Sequence, residues 1–313
     1  MSEQATCVVS GENNRVHVNT EKAWIQESPE YVRTSLGAAI TLGLAPGAFH
    51  RNAKAYCVNL LQTYADGCKA NCGYCGLSRG REGEFTKKSF IRVAWPIVSM
   101  EEVVARLVEV GEAVRRVCVS MVTHPRARFD LIEIIRSVRE RSNVPISALV
   151  TPTVLEEGDF ARMRDAGVDR VGIAVDAATP ELFAKWRGRG VKGPHRWERY
   201  WASFREAVEV FGRGMVGSHF IVGLGESERE MAEAIQAAND MGVVTHLFSF
   251  YPEAGSIMED WPRPDIGCYR RIQLARYLIN EGISSAENFR FDENGKIIDF
   301  GIPKWELYGI IKK

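Results

Sequence analysis

Three cysteines fall within eight residues of the chain, in the run Gly67-Cys68-Lys69-Ala70-Asn71-Cys72-Gly73-Tyr74-Cys75-Gly76. The C-x3-C-x2-C spacing places three thiols on one short, glycine-containing loop. Thiolates are soft ligands that suit iron–sulfur clusters and zinc. Structural zinc wants a closed tetrahedron of four ligands, and no fourth Cys or His lies nearby in sequence. A cubane cluster on three thiolates leaves one iron with an open position, where a small molecule can bind and be acted on. Structural zinc and a plain electron-transfer cluster stay open as alternatives, because short motifs are mimicked. The remaining cysteines of the seven, Cys7, Cys57, Cys118 and Cys268, are scattered. One tight cluster in an odd total points to metal rather than to a disulfide framework.

An aromatic residue just before the last cysteine, here Tyr74, completes a pattern that resembles the signature of the radical S-adenosylmethionine (SAM) superfamily. The resemblance runs from about residue 50 to about residue 285. It implies a [4Fe–4S] cluster on Cys68, Cys72 and Cys75, with the amino and carboxylate groups of SAM on the open iron. It also implies cleavage of SAM to a 5′-deoxyadenosyl radical that takes hydrogen from unactivated carbon, the hard chemistry belonging to the cofactor. Tyr74 would then lie near the adenine.

The run Ile221-Val222-Gly223-Leu224-Gly225-Glu226 looks like the family's I-x-G-x-x-E element. Ile221 would pack near adenine, Gly223 would leave room for backbone to approach a ligand, and Glu226 closes the element; a turn before the next helix is the plainer reading. Asp176 resembles the acid that faces ribose hydroxyls or substrate in biotin-synthase-like members, since a carboxylate accepts paired hydroxyl bonds. Capping of a helix that begins at Pro180 is its alternative. Arg196, in Pro194-His195-Arg196-Trp197, stands where that branch supplies an arginine whose fork matches the SAM carboxylate, with Arg187 and Arg189 as rivals. Where the family has a glycine-rich element, this chain has Ser120-Met121-Val122-Thr123, so backbone carbonyls or the Ser120 and Thr123 hydroxyls must meet the SAM amino group. The run Tyr251-Pro252-Glu253-Ala254-Gly255-Ser256 resembles an adenine-side loop, or is a simple turn.

These residues need a scaffold, and the hydrophobic pattern supplies one. Short apolar runs at 56–63, 117–122, 144–150, 168–175, 215–222 and 243–250 alternate with helical patterns near 99–113, 128–141, 155–166, 197–211, 226–241 and 265–281. Strands alternating with helices predict βαβ units and a parallel sheet. The expected fold is α/β, a partial or complete TIM-like (β/α) barrel with an N-terminal helical extension. The expected division is an extension over 1–50, a radical SAM barrel over 51–285, and a C-terminal hairpin and tail over 286–313. A helix is expected to start at Ser28-Pro29-Glu30 and to carry Val32, Leu36, Ala39, Ile40 and Leu44 on one face. The cysteine loop directly follows the first barrel strand, at the strand ends where parallel α/β folds place their sites. His124 and His219 either point toward that site or are satisfied core and loop histidines. Trp186, Trp197 and Trp201 belong to helix packing, or line an apolar channel.

Lys+Arg and Asp+Glu balance at 40 each, which argues against a nucleic-acid partner. No apolar run reaches the ~18 residues of a membrane span, and the start lacks a signal-peptide pattern, so a cytoplasmic location is expected. Within the resemblance, Ser35-Leu36-Gly37-Ala38-Ala39-Ile40 and Asn59-Leu60-Leu61-Gln62-Thr63-Tyr64 look most like a subunit of the two-component lipoyl synthases. That implies sulfur insertion into a carrier-bound octanoyl chain, with a lipoyl carrier domain, a second radical SAM subunit and an electron donor such as ferredoxin or flavodoxin as partners. It also calls for a second iron–sulfur cluster as sulfur source. Cys118 matches one strand position of such a cluster, while the other two are occupied near Ala148/Leu149 and Gly217, and Cys7, Cys57 and Cys268 make no motif. Buried strand cysteines are the plain reading of Cys57 and Cys118. The alternative function is a single-cluster mutase or cofactor-maturation enzyme acting on a small molecule. From another class, the chain would be a non-catalytic iron–sulfur or zinc-binding subunit.

Overall fold

The computed structural model describes residues 26–312 with residue 92 excepted; Cys7 and the polar start of the chain lie outside these residues. In chain order the elements are β1 (Tyr31–Thr34), α1 (Leu36–Thr41), β2 (Cys57–Gln62), β3 (Ile97–Ser99), α2 (Met100–Val110), β4 (Arg116–Ser120), α3 (Ala127–Arg139), β5 (Ile146–Val150), α4 (Asp159–Ala166), β6 (Arg170–Asp176), α5 (Pro180–Trp186), α6 (Trp197–Phe211), β7 (Val216–Val222), α7 (Glu228–Asp240), β8 (Val243–Ser249), α8 (Ile266–Asn280), β9 (Arg290–Phe291), β10 (Ile297–Asp299) and α9 (Lys304–Ile311).

The first eight strands form one sheet in the order β3-β1-β2-β4-β5-β6-β7-β8. From β2 to β8 every pairing is parallel, each strand returning through a helix. This is a partial TIM-like barrel, whose curved sheet is finished at one edge by two short antiparallel strands. Alternation of side chains sorts the strands into two faces. Val58, Val117, Val119, Ile146, Ala148, Val171, Ile173, Val216, Phe220 and Val243 point outward and are buried under the helices in the main core. The alternate residues, among them Cys57, Cys118, Ser147, Leu149, Gly172, His219 and His246, face the concave lumen and are less buried.

Two expectations need correction. The stretch after Ser28 does not form one helix: Tyr31–Thr34 is a strand hydrogen-bonded to both β2 and β3, and α1 begins only at Leu36 behind the Ser35 cap. The β-branched and aromatic run Tyr31-Val32-Arg33-Thr34 suits a pleated surface, so the apparent helical face of Val32, Leu36 and Leu44 spans two different elements. The edge strand β3 was also missed, its three residues carrying no readable period. Helix α5 does begin at Pro180, behind a Thr179 cap, the placement Pro favours. The C-terminal hairpin stands as expected, with β9 and β10 antiparallel around Glu293-Asn294-Gly295, followed by α9.

Candidate active site

The cysteine loop leaves the carboxyl end of β2 and is held from several sides. Gly67 turns the chain at φ +68°, with the Phe85 ring 3.0 Å from where a Cβ would sit; a residue with a side chain would be strained and crowded there. The Lys69 N–H donates to the Thr123 carbonyl at 2.7 Å, tying the loop to the end of β4. On the opposite side, the Gly73 N–H donates to the Trp186 carbonyl at 2.7 Å, and the Met258 N–H donates back to the Gly73 carbonyl at 2.9 Å. The Trp186 indole in turn donates to the Leu224 carbonyl at 2.9 Å and the Trp261 indole to Gly223 at 3.0 Å. The C-terminal end of α5, the loop after β7 and the loop after β8 are thereby fastened to one another across the cysteines. Trp186 braces the loop, a role beyond helix packing, whereas Trp197 and Trp201 pack with Phe183 and Phe204 on the outer side.

Cys72 is buried, and Cys68 and Cys75 are half-buried against a small apolar cluster of Leu61, Tyr64, Leu77, Phe85, Trp95 and Val122. Burial pushes the Cys72 thiol up to about 12, against the pull of Arg187. Burial likewise pushes Cys75 up, although the Leu77 N–H donates to it. Thiolates in such surroundings require positive charge on a bound metal, since an isolated buried anion is costly. Among the described residues no three His, Cys, Asp or Glu side chains converge on one point as a single metal ion needs. A cubane, which takes one thiolate on each of three irons, suits three thiols spread along a loop.

Beside the loop lies a second constellation. Asp176 ends β6 at a bulge with φ +68°, a left-handed conformation that is uncommon outside glycine and that Asp tolerates better than most. Its Oδ2 accepts from the Tyr74 hydroxyl at 2.5 Å and from Arg187 Nη1 at 2.6 Å. Burial, with Asp176 adding, holds the Tyr74 phenol well above its ordinary range, so it stays a donor. Burial works against the Arg187 charge, but Asp176, Tyr200, Tyr74 and Cys72 together outweigh it and raise Arg187 well above normal. Arg187 also donates to the Ala174 carbonyl and, at 3.1 Å, to the Tyr200 hydroxyl. Among the described residues its buried Nε has no hydrogen-bond partner, leaving at the site a spare donor of the kind a ligand carboxylate accepts. Tyr200 is a hub that also contacts Thr151 at 3.1 Å and His195 Nδ1 at 3.0 Å.

These positions revise the residue assignments. Asp176 does not cap α5, because the Thr179 side chain does so by accepting from the Leu182 N–H. Arg187 is the arginine next to Asp176 and the cysteines, while Arg196 is exposed just ahead of α6 and Arg189 is likewise exposed. Sequence put Arg196 first of the three, because it does not show where α5 ends. Gly223 has φ +108°, and a Cβ there would lie 2.8 Å from Pro264. The backbone conformation and Pro264 by themselves call for glycine there. The Glu226 carboxylate turns back on its own loop, accepting from the Gly223 N–H at 2.6 Å and from Leu224 at 2.9 Å; burial raises its pKa against those two bonds. Ile221 faces the lumen from β7 and is half-buried. The loop after β8 is latched by Glu253, which accepts from the Ser89 hydroxyl.

The two histidines part company. His124 stacks on Tyr64 at 3.8 Å and meets Asp66 at 3.1 Å, bracing the cysteine loop from outside the lumen. His219 stands on the lumen face, 5.7 Å from His246 and 5.1 Å from Phe248 by ring centre. Burial pushes it down to about 4, with Asp176 opposing. Deeper in the lumen the Cys57 and Cys118 thiols touch at 2.9 Å. They are neighbours on the concave face, not core cysteines.

Comparison with known proteins agrees with this geometry. The sequence profile described as Radical SAM superfamily matches residues 63–238. A protein of Methanococcus aeolicus named probable GTP 3',8-cyclase is 30% identical over 130 residues, 41% of this chain and 41% of that one. The match therefore spans well under half of that relative. A biotin synthase of Aquifex aeolicus is 22% identical over 221 residues, 70% of this chain and 62% of that one. The crystal structure of methylornithine synthase superposes with a TM-score of 0.56 at 15% identity, covering 78% of this chain and 66% of that one, a likeness of fold. Among the described residues no helix is long and apolar enough to cross a membrane. The chain belongs to the Radical SAM superfamily: it is a radical SAM enzyme whose cofactors are a [4Fe–4S] cluster and S-adenosylmethionine.

Proposed function

We propose that Cys68, Cys72 and Cys75 hold the cluster and that the lumen above Cys57 and Cys118 receives a small polar substrate, from which hydrogen is abstracted at an unactivated carbon. Bound there, the cluster and SAM supply a 5′-deoxyadenosyl radical. The protein's own residues do the rest. Tyr74 keeps its proton and holds the loop against Asp176. Asp176 presents a carboxylate at the carboxyl end of β6, placed to accept from ribose or substrate hydroxyls. Arg187, oriented by Asp176 and Tyr200, offers its spare donor to the SAM carboxylate in place of Arg196. Ile221 lines the adenine side, and Gly223 and Glu226 shape the loop behind it. The tethered loops after β7 and β8 exclude water from the radical's path.

The observation that carries the substrate reading is the chemistry of the lumen wall. His219, His246, Ser147 and Asn59 put polar groups on the lumen wall, beside Cys57, Cys118, Leu149, Ile221 and Phe248. Ser147 accepts from Arg116 and Asn59 from Cys57, but a saturated acyl chain would strip water from the His219 and His246 rings, at a cost of ~1–3 kcal/mol each. The finer reading, sulfur insertion into an octanoyl chain on a lipoyl carrier domain, further needs ligands for a second cluster. Among the described residues the lumen strands supply only two thiols, Cys57 and Cys118, and Cys268 lies on α8. The single-cluster alternative is therefore favoured, with a low-potential donor such as ferredoxin or flavodoxin delivering one electron per turnover. The names of the curated relatives make a nucleotide one substrate class to try.

The test is anaerobic incubation of the reconstituted protein with SAM, reductant and panels of deuterated polar metabolites, nucleotides and an octanoylated carrier. Deuterium entering 5′-deoxyadenosine from a polar compound, at about four irons per chain, supports the proposal. A gain of sulfur on the octanoylated carrier, with about eight irons, overturns it.

A further inference from the structure

Beneath the cysteine loop lies a cation without a matching acid. Lys88 is 8% exposed, yet among the described residues no carboxylate pairs with it; its Nζ donates to the Ser78 carbonyl at 2.8 Å. The Ser78 N–H in turn donates to the Cys75 carbonyl at 3.1 Å, so the ammonium is anchored to the turn that carries the third cysteine. The charged or chargeable groups that act on it are Arg81, Cys68 and Cys75. Arg81 is itself a cation, facing Glu253 at 3.9 Å. The position of Lys88 is fixed from behind by Arg33, which is 1% exposed and donates to the carbonyls of Trp95, Phe85 and Lys88. Arg33 too has no carboxylate partner among the described residues. Two buried cations thus stand in the cover of one loop, and buried charges persist in proteins when they are paired.

A cubane carrying two positive charges, held by three thiolates, has a net charge of minus one, and adding an electron makes it minus two. We propose that this anionic cluster is the missing counter-charge of Lys88, and that Lys88 eases reduction of the cluster by favouring its more negative state. The inference depends on the family's cofactor and not on the identity of the substrate. Lys88 is a positioning and tuning residue: it acts through the cluster and touches no substrate. The electron comes from an external low-potential one-electron donor, and no bond is made or broken by the lysine.

The experiment is an EPR-monitored redox titration of the reconstituted holoprotein and of the Lys88→Met, Lys88→Arg and Lys88→His variants. A unit charge near the cluster in partly buried surroundings is worth about a tenfold or greater change in the reduced-to-oxidised ratio at fixed potential. Lys88→Met should lower that ratio by about tenfold or more, and Lys88→Arg should hold it within about threefold. In Lys88→His the ratio should be near wild type at low pH and fall as pH rises through the imidazole range near ~6.5, in one and the same folded protein. Loss of the cluster in Lys88→Met with retention in Lys88→Arg also supports a requirement for charge. An unchanged ratio in a cluster-loaded Lys88→Met protein overturns the proposal. So does loss of the cluster in every variant, Arg included, which would mark Lys88 as a packing residue.

Discussion

Replacing Arg187 by methionine probes the constellation that joins the cysteine loop to the barrel. Arg187 is 6% and Asp176 9% exposed, and the pair meets at 2.6 Å. Methionine fills much of the same volume but removes the donors to Asp176, Ala174 and Tyr200. The Asp176 carboxylate is left with only Tyr74 of its two recorded donors. Removing one partner of a buried ion pair costs about 3–5 kcal/mol, because the other charge stays buried. At roughly 2 °C per kcal/mol for a chain of this length, Arg187→Met should melt about 6–10 °C below wild type in anaerobic calorimetry. The double variant Arg187→Met with Asp176→Asn removes both charges, suits the left-handed backbone at φ +68° and keeps an acceptor for the Tyr74 hydroxyl. Beyond the donors to Ala174 and Tyr200 already lost with Arg187, it strands no further group. The double variant should therefore be more stable than Arg187→Met alone, by about 2 kcal/mol. If Arg187→Met melts within about 2 °C of wild type, or the second substitution adds to the first, the ion pair is not what holds these elements together.

Gly223→Ala should lose about 1–3 kcal/mol, read from the urea midpoint, because alanine at φ +108° is strained and its Cβ meets Pro264 at 2.8 Å; an unchanged midpoint would show that the loop after β7 can relax. His219 is pushed from 6.5 to about 4 by burial, so the unfolded chain binds a proton that the folded chain refuses. Its contribution is full above pH ~6.5 and is lost as pH falls toward ~4, by on the order of 3 kcal/mol. His219→Gln should flatten the stability–pH curve over that window, and an unchanged slope would remove His219 as its source. Cys57→Ser and Cys118→Ser should each retain about four irons and full production of 5′-deoxyadenosine; loss of iron in either would place these thiols on a metal.

Much of the barrel was legible in the sequence because each barrel strand is a Val/Ile-rich run with a long amphipathic helix behind it. All six parallel strands fall inside the apolar runs read from sequence to within a residue or two. The edge was not legible. Tyr31–Thr34 becomes a strand only because β2 and β3 offer it partners, and pairing of that kind leaves no periodic mark in a four-residue stretch. The cysteine loop announced itself through spacing, but its supports did not. Sequence favoured Arg196 over Arg187 and Arg189, and only the end of α5 beside Asp176 turns the choice to Arg187. Tyr200 and His195 come to the site from α6 and the loop before it, and neither carries a local signature. Lys88 carries no local signature, and the Arg33 that holds its carbonyl is distant in sequence. Gly223 and Glu226 show the reverse: the pattern stood out in the sequence, while in the structure both residues hold the loop's own backbone.

The most direct test of the account is low-temperature EPR of the anaerobically reconstituted, reduced protein before and after SAM is added. An iron of the Cys68, Cys72 and Cys75 cluster that is free to take SAM predicts one S = 1/2 signal per chain whose g-values shift on addition, with 5′-deoxyadenosine accumulating afterwards. A signal that SAM leaves untouched, or one that survives replacement of all three cysteines by serine, would contradict it.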